Sequence, residues 1–338
     1  MIGNNKKYEL VTKLDEYFRD HGKIDDVLDI NDKTQGFEEL YLDKPSEHTR
    51  AFIKVQDGCN QFCSYCIIPY ARGRVRSRNM GSVLEEVNRL AANGYKEVVL
   101  TGIHLSSYGV EMGESLLHLI QEIHKVEGIR RIRLGSLEPK IVTEEFASEL
   151  SKLEKICPHF HLSLQSGCDA TLQRMNRKYT AAEYEAGCQI LRKYFEHPAI
   201  TTDVIVGFPG ETEEEFNETK AFLERIDFYE MHIFKYSKRQ GTRAAVMKNQ
   251  VAENIKTQRS NQLIEIGEKM SEEFRQYYLG KEKEVLFEEE ANIDGENYYI
   301  GYTKEYVKIA KISDVPLDNQ LIKGTLKKAL NPEIYLMD

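Results

Sequence analysis

Apolar residues between about residues 51 and 236 occur in short runs that alternate with longer segments of helical periodicity. Runs such as KEVVLTGI and AITTDVIVGF have the length of strands, and segments such as GSVLEEVNRLAANG have the apolar spacing of a helix and end at a glycine. Strands that alternate with helices of about 10–15 residues form βαβ units around a parallel sheet. Six such units fit into about 190 residues, whereas a complete barrel needs eight strands and about 250 residues. The pattern therefore predicts an α/β fold built on an incomplete (β/α)6 barrel.

The pattern changes on both sides of this region. Residues 1–49 carry one helical stretch, KKYELVTKLDEYFRDHG, and then polar sequence without a clear period, which predicts a linker or an arm. Residues 249–279 form a long polar helical pattern that ends at Gly280, and the short segments after it predict a small β domain. We therefore divide the chain into a linker at 1–49, a barrel at 50–275 and an all-β domain at 276–338.

The composition excludes several classes of protein. Apolar residues make up 41% of the chain and charged residues 30%, so a sizeable core can form and global disorder is excluded. No apolar run is long enough to span a bilayer, and the N-terminus has no signal-type stretch, so we expect a soluble cytoplasmic protein without a membrane partner. Because the net charge is −9, any RNA contact has to come from local basic patches.

Three of the six cysteines lie within eight residues, directly after the first predicted strand. Cys59, Cys63 and Cys66 could hold three irons of a [4Fe–4S] cluster and leave the fourth iron open for a ligand. The alternative is a zinc site, although structural zinc prefers four ligands in paired groups. The other cysteines show no ligand pattern and are predicted to be buried thiols; they are Cys157, Cys168 and Cys188.

The spacing Cys59-x3-Cys63-x2-Cys66, with the aromatic Tyr65 before the last cysteine, resembles the radical S-adenosylmethionine (SAM) enzymes. In that family the open iron is chelated by the methionine moiety of SAM, and the reduced cluster cleaves SAM to a 5′-deoxyadenosyl radical. Longer motifs resemble the methylthiotransferases over about residues 50–338; they are DGCNQFCSYCIIPYARGRVRSR, TGIHLSSYG, HLSLQSGCD, MNRKYT, TTDVIVGFPGETEEEF and FKYSKRQGTRAA. Arg243 departs from the Gly-Thr-Pro that is common in this group.

The resemblance also implies where SAM binds. Strand carboxyl ends form the ligand face of a barrel, and turns or polar residues follow several predicted strands there. A turn at Gly102 would contact the methionine amino group, the end of the fourth strand would face the ribose, and the GFPGE segment would pack along the adenine. Ordinary strand-to-helix turns and solvated strand ends explain the same residues equally well. The implied SAM-binding residues are Gly102, Ser136, Glu138, Gln165, Ser166, Gly207, Phe208 and Pro209.

Two basic segments are candidates for RNA contact. One lies beside the cysteines, where arginines could contact phosphates or pair with a barrel carboxylate. The other spans residues 301–330, where lysines exceed acidic residues and tyrosines are interleaved. This second segment resembles the small TRAM-like β-barrel domain that binds RNA in methylthiotransferases and tRNA uracil methyltransferases. The candidate residues are Arg72, Arg74, Arg76, Arg78, Lys304, Lys308, Lys323 and Lys327.

The motifs IIPYARGRVRSR and TGIH are most similar to the branch that acts on N6-threonylcarbamoyladenosine at tRNA position 37. The resemblance implies radical methylthiolation of C2 of that nucleoside, with a [4Fe–4S] cluster and SAM as cofactors and with tRNA and an electron donor as partners. The family holds a second [4Fe–4S] cluster on three cysteines of an N-terminal domain, and no cysteine precedes Cys59. We therefore expect a chain that lacks this domain and cleaves SAM without completing the transfer. The alternatives are a ribosomal-protein methylthiotransferase, a radical methyltransferase or insertion enzyme, and an RNA-binding iron–sulfur protein.

Overall fold

Short strands and the helices between them make up most of the structure, a computed structural model that describes residues 2–3, 6–27, 29–30, 36–39 and 49–338. The strands of the described residues are β1 (Arg50–Asp57), β2 (Arg76–Ser77), β3 (Glu97–Gly102), β4 (Arg131–Leu134), β5 (His159–His161), β6 (Ala199–Val206), β7 (Glu230–Lys235), β8 (Glu282–Ile293), β9 (Glu296–Tyr302), β10 (Lys308–Lys311), β11 (Leu321–Ala329) and β12 (Ile334–Met337). The α-helices are α1 (Leu10–Asp20), α2 (Ile68–Arg72), α3 (Met80–Ala92), α4 (Leu116–His124), α5 (Glu144–Ser151), α6 (Asp169–Arg174), α7 (Ala181–Tyr194), α8 (Glu213–Ile226) and α9 (Glu253–Gln276).

Two sheets of parallel strands form a half barrel. β1, β3 and β4 pair in parallel, with β2 antiparallel to β1 at the edge, and β5, β6 and β7 pair in parallel. Isolated bridges between Ile132 and Ile156 and between Leu137 and Leu162 connect the two sheets. The six parallel strands confirm the predicted incomplete barrel. Within the described residues β7 pairs with neither β1 nor β2, so the barrel is open on that side.

The two faces of the strands have different surroundings because strand side chains alternate in direction. One face carries Ile53, Leu100, Phe160 and Val204, which are buried in the core that the surrounding helices cover. The opposite face lines the inside of the half barrel.

Among the described residues, no helix is both long and apolar enough to cross a membrane.

The strands β8 to β12 form a closed barrel in the order β10-β12-β11-β8-β9, which confirms the predicted all-β region at the C-terminus. Phe287 and Ile309 lie in its core. The helix α9 connects the two domains, because Leu263 belongs to the core of the half barrel and Phe274, near the end of α9, belongs to the core of the closed barrel.

Buried arginines join the two domains. Glu97, at the start of β3, is 1% exposed, and its Oε1 accepts a hydrogen bond from Arg133 Nε at 2.7 Å. Arg131 Nη1 donates to the Tyr302 carbonyl oxygen at 2.9 Å, and Arg133 Nη1 donates to the Lys304 carbonyl oxygen at 3.0 Å. Burial alone would raise the pKa of Glu97, but the charges of the neighbouring arginines lower it.

Contacts at the start of β1 extend this interface. Arg50 Nε lies 2.7 Å from Glu288 Oε1, and Arg50 Nη1 donates to the Tyr306 hydroxyl at 2.7 Å. The Tyr306 ring also lies 5.1 Å from the His159 ring, measured between centroids. The closed barrel therefore covers the amino-terminal end of the half barrel. This explains why all four residues of β4 are buried although two of them are arginines.

We expect the substitution Glu97→Gln to lower the free energy of unfolding by about 3–5 kcal/mol, because it leaves buried guanidinium groups without their carboxylate. Urea denaturation at neutral pH measures the difference. The matched control is Glu149→Gln, which removes a carboxylate from an exposed pair with Lys152 and should change stability by less than about 0.5 kcal/mol.

The contribution of Glu97 to the stability of the fold depends on pH in a defined direction. The pKa of Glu97 is lower in the folded chain than in the unfolded chain, so its stabilisation is complete above about pH 4.3 and decreases as the pH falls below that value. Equal stability of Glu97→Gln and the Glu149→Gln control at neutral pH would show that the Glu97 carboxylate does not stabilise the buried arginines.

Candidate functional site at the carboxyl ends of the strands

The three clustered cysteines lie on the loop that follows β1, at the carboxyl end of the half barrel. Cys59 is buried, whereas Cys63 and Cys66 are half-buried. All three line one cavity of about 140 Å³. The cavity is also lined by Arg177, which follows α6, and by residues that follow β3, β4 and β5, among them His104, Ser136, Glu138, Ser163 and Gln165.

The carboxylate of Asp57 fixes the start of the cysteine loop. It accepts a hydrogen bond from the Gly58 backbone N–H at 2.8 Å and from Lys54 Nζ at 2.5 Å, and guanidinium nitrogens of Arg72 and Arg76 lie within 3.7 Å. Burial would raise the pKa of Asp57, but these partners lower it. Gly58 has φ +72°, and a Cβ there would lie 1.9 Å from the Arg74 carbonyl oxygen, so only glycine allows this turn.

The far side of the loop is held by the segment after α6. Ser64 N–H donates to the Met175 carbonyl oxygen at 2.9 Å, and Asn176 Nδ2 donates to the Phe62 carbonyl oxygen at 2.8 Å. The three sulfur atoms are therefore held from two sides by elements more than 100 residues apart in the chain.

The surroundings of Cys59 and Cys66 disfavour the charged form of their thiols when no metal is bound. Burial raises the pKa of Cys59 to about 11, and it also raises the pKa of Cys66. Arg177 Nη1 lies 3.3 Å from Cys63 Sγ, while its Nη2 donates to the Ser163 carbonyl oxygen and its Nε to the Tyr179 hydroxyl. Three thiols and a buried guanidinium around one cavity fit an iron–sulfur cluster, because a cluster stabilises thiolates that burial otherwise disfavours.

Three of the residues implied for SAM reach this cavity. Ser136, Glu138 and Gln165 all line it. The Glu138 carboxylate accepts hydrogen bonds from Gln61 Nε2 at 3.0 Å and lies 3.1 Å from His104 Nε2; burial would raise its pKa, but His104 lowers it. Gln165 has φ +74°, which a non-glycine side chain rarely adopts, and such backbone strain is concentrated at functional sites.

The other implied SAM residues do not line the cavity. Gly102 lies behind it, where a Cβ would lie 2.9 Å from Gln56 Oε1, so this glycine allows Gln56 to pack under the cysteine loop. Ser166 is buried on the helix-facing side, 3.0 Å from Thr219 Oγ1. Direct ligand contact at Gly102 and Ser166 stays a prediction.

The GFPGE segment is a buried structural turn. Gly207 N–H donates to Glu211 Oε1 at 2.8 Å, and the same oxygen lies 2.6 Å from Arg259 Nη1. Phe208 is fully buried and contacts the Tyr65 ring at 6.3 Å between centroids, so it supports a residue of the cavity instead of lining it. Pro209 is buried in the same turn. Packing of Gly207, Phe208 and Pro209 against the ligand stays a prediction.

The arginines beside the cysteines have structural partners. Arg78 is 2% exposed and pairs with Glu86, which corrects the expectation that it contacts RNA. Arg72 and Arg76 approach Asp57, as described above. Arg74 lies over the Phe62 ring, 4.7 Å from its centroid.

The lysines of the C-terminal domain divide into two groups. Lys304 lies at the domain interface, where its Nζ donates to the Glu154 carbonyl oxygen at 2.6 Å. Lys308 is half-buried, whereas Lys323 and Lys327 are exposed. RNA contact by any of the four lysines stays a prediction.

A second cavity, of about 340 Å³, adjoins the first. The two share Tyr65, Cys66 and Gln165, and the second extends to Asp203 and Arg239. Sequence reasoning missed His104, Arg177, Asp203 and Arg239 as cavity residues. The only signal for Arg177 was its position in the motif MNRKYT, and Asp203 could have been found as an acidic residue within an otherwise apolar strand. Cys157, Cys168 and Cys188 are buried, as predicted.

The comparisons with known proteins identify the family of the chain. The profile of the Radical SAM superfamily matches residues 53–223. The threonylcarbamoyladenosine tRNA methylthiotransferase of Bacillus subtilis is 39% identical over 335 residues, 98% of this chain and 74% of the relative. The enzyme of the same name from Aquifex aeolicus is 42% identical over 315 residues, 92% of this chain and 76% of the relative.

Other relatives differ in name or are more distant. The tRNA-2-methylthio-N(6)-dimethylallyladenosine synthase of Acetivibrio thermocellus is 42% identical over 78% of this chain and 55% of its own length. The radical SAM methyltransferase TsrM from Kitasatospora setae, solved with cobalamin and a [4Fe–4S] cluster, superposes with a TM-score of 0.50 and 20% identity over 58% of this chain and 38% of its own, which supports the fold. Together, the profile match and the extent of identity show that this chain belongs to the radical SAM superfamily and, within it, to the tRNA methylthiotransferases.

Proposed function

We propose that the protein methylthiolates C2 of N6-threonylcarbamoyladenosine at position 37 of tRNA. The convergence of three thiols, Glu138 and Gln165 on one cavity carries the proposal of radical chemistry. The choice of nucleoside is supported by the two relatives that bear this name, which align with 98% and 92% of the chain. The dimethylallyladenosine enzyme described above aligns with a smaller share.

Membership of the superfamily implies a [4Fe–4S] cluster and SAM as cofactors. We propose Cys59, Cys63 and Cys66 as the cluster ligands, because only these thiols meet in a shared cavity among the described residues. A cluster held there supplies the electron that opens the carbon–sulfur bond of SAM. The electron itself has to come from an external donor.

The residues around the cysteines bind and orient the ligand. Glu138, held by His104 and Gln61, presents a carboxylate that accepts hydrogen bonds from hydroxyl or ammonium groups. Gln165 separates this cavity from the larger one and can hydrogen-bond a ligand on either side. Tyr65, supported from behind by Phe208, excludes water from the wall next to Cys66.

The exposed lysines of the C-terminal barrel are the proposed tRNA contacts. Lys323, Lys327 and Lys328 lie on β11 and are exposed. Their ammonium groups can contact a phosphate backbone, although Lys327 Nζ also lies 2.9 Å from Asp338 Oδ2. This placement supports a cytoplasmic tRNA as the partner.

The function is tested by mass spectrometry of nucleosides from a strain in which the gene is deleted. We expect 2-methylthio-N6-threonylcarbamoyladenosine to disappear from tRNA while 2-methylthio-dimethylallyladenosine stays unchanged. The opposite result would assign the protein to the other nucleoside, and loss of a modification on a ribosomal protein would replace the proposal.

Replacing Cys59, Cys63 and Cys66 together by Ala should abolish the iron content and the visible absorption of the reconstituted protein, because three thiolates hold the cluster. Iron analysis after anaerobic reconstitution measures this. The matched control replaces Cys157, Cys168 and Cys188 by Ser and should retain about four irons per chain. Iron retained in the triple Ala variant, or lost in the triple Ser variant, would show that the outlying cysteines hold the cluster.

Replacing Arg177 by Met should lower the reduction potential of the cluster by about 60 mV or more, because a buried charge and an N–H···S contact at Cys63 stabilise the reduced form. A redox titration followed by electron paramagnetic resonance measures the potential. Arg177→Lys, which keeps the charge, should recover part of the shift, and the exposed Arg225→Met should cause none. Equal potentials in all variants would show that Arg177 does not tune the cluster.

The double substitution Lys323→Glu and Lys327→Glu should weaken tRNA binding about tenfold or more and reduce its dependence on salt, because fewer counterions are released. Filter binding at several salt concentrations measures both effects. The control pair, Lys125→Glu and Lys152→Glu, reverses two exposed charges on the half barrel and should change affinity little. If the control pair weakens binding more, the RNA lies on the half barrel instead.

A further inference from the structure

A group of metal-ligating side chains lies inside the half barrel, away from the cysteines. His161 is on β5, Asp203 on β6 and His232 on β7, three neighbouring parallel strands. Asp203 pairs in register with His232, and His161 pairs in register with Thr201, two residues before Asp203. Each of the three side chains offers one ligand atom, and these atoms all lie within 4.8 Å of one another.

The distances are close to those of a coordinated ion. His161 Nε2 lies 3.2 Å from Asp203 Oδ2. Two ligands at about 2.1 Å from one tetrahedral ion lie about 3.4 Å apart, so this pair is already at the right separation. The His232 ring stacks on the His161 ring, with centroids 5.8 Å apart. Because His232 is exposed, its side chain can rotate and bring a ring nitrogen closer to His161 and Asp203.

The orientation of His161 is fixed from behind. Its Nδ1 lies 3.0 Å from Thr201 Oγ1, so Nε2 is left to face Asp203 and His232. Metal-binding histidines characteristically use one ring nitrogen for the ion and hold the other by a hydrogen bond. The contact with Thr201 therefore holds the His161 ring in the orientation that a ligand histidine requires.

We propose that His161, Asp203 and His232 form a site for a divalent ion of the Zn²⁺, Co²⁺ or Fe²⁺ class. Two imidazoles and one carboxylate are a ligand set that these ions favour, and three protein ligands leave coordination positions open. Asp203 lines the 340 Å³ cavity that also reaches Cys66 and Tyr65. The open positions thus face a cavity large enough to admit an oxygen or nitrogen of a bound ligand.

Zinc is the probe, and the cluster-loaded protein is used so that the cysteines are occupied. After incubation with Zn²⁺ and desalting, we expect about one zinc per chain beyond the cluster iron. X-ray absorption at the zinc edge should show nitrogen and oxygen ligands at about 2.0–2.1 Å. His232→Asn and Asp203→Asn should each weaken zinc binding at least tenfold, with iron content unchanged.

The matched control is His21→Asn, an exposed histidine at the end of α1 whose positive φ asparagine also tolerates. It should bind zinc as the unchanged protein does. Sulfur ligands at about 2.3 Å would place the zinc on the cysteines and overturn the proposal. Absence of retained zinc, or equal affinity in His232→Asn, would overturn it as well. The test does not depend on the proposed reaction, because it measures metal content and ligation only.

Discussion

The buried carboxylate of Glu97 makes the two-domain arrangement possible. Arg131 and Arg133 are placed on β4 with their side chains inside the barrel, where two uncompensated cations would prevent folding. Glu97 compensates them, and the guanidinium groups then have N–H donors left for the carbonyl oxygens of the closed barrel. This ionic group therefore ties β3 to β4, and together with the Arg50–Glu288 pair and the helix α9 it joins the second domain to the half barrel.

The closed barrel covers the amino-terminal end of the half barrel, and among the described residues the carboxyl end and the side between β2 and β7 are open to ligands. The cysteine loop lies at that carboxyl end, and Asp57 and Asn176 hold it from opposite sides. The cavity next to Cys66 and the histidine–aspartate group below it follow one another along the same inner face. The inside of the half barrel thus has ionic contacts at the amino-terminal ends of the strands and the cysteine thiols at the carboxyl ends.

Sequence reasoning found what is encoded locally. The strand–helix alternation was correct because the core-facing positions are strongly apolar, and helix starts such as Thr180 and Thr212 carry their own capping boxes. The three cysteines were found because their ligand spacing lies within one loop. Distant pairings were not predictable: Arg133 meets a carboxylate 36 residues away. The directions of the Ser166 and Phe208 side chains could not be predicted, because the chain leaves regular strand geometry after β5 and after β6, where the alternation of side chains no longer holds.

The closed barrel and the cysteines lie at opposite ends of the half barrel. A strand of the length of β1 spans about 26 Å, so this distance separates the base of the barrel from the cysteine loop. An RNA that is held by the C-terminal domain has to extend along the open side of the barrel before one of its bases can reach the cavity. A free nucleoside or a short oligonucleotide could occupy the cavity but could not contact the closed barrel at the same time. An RNA that contacts both has to be long enough to extend from the closed barrel to the cavity.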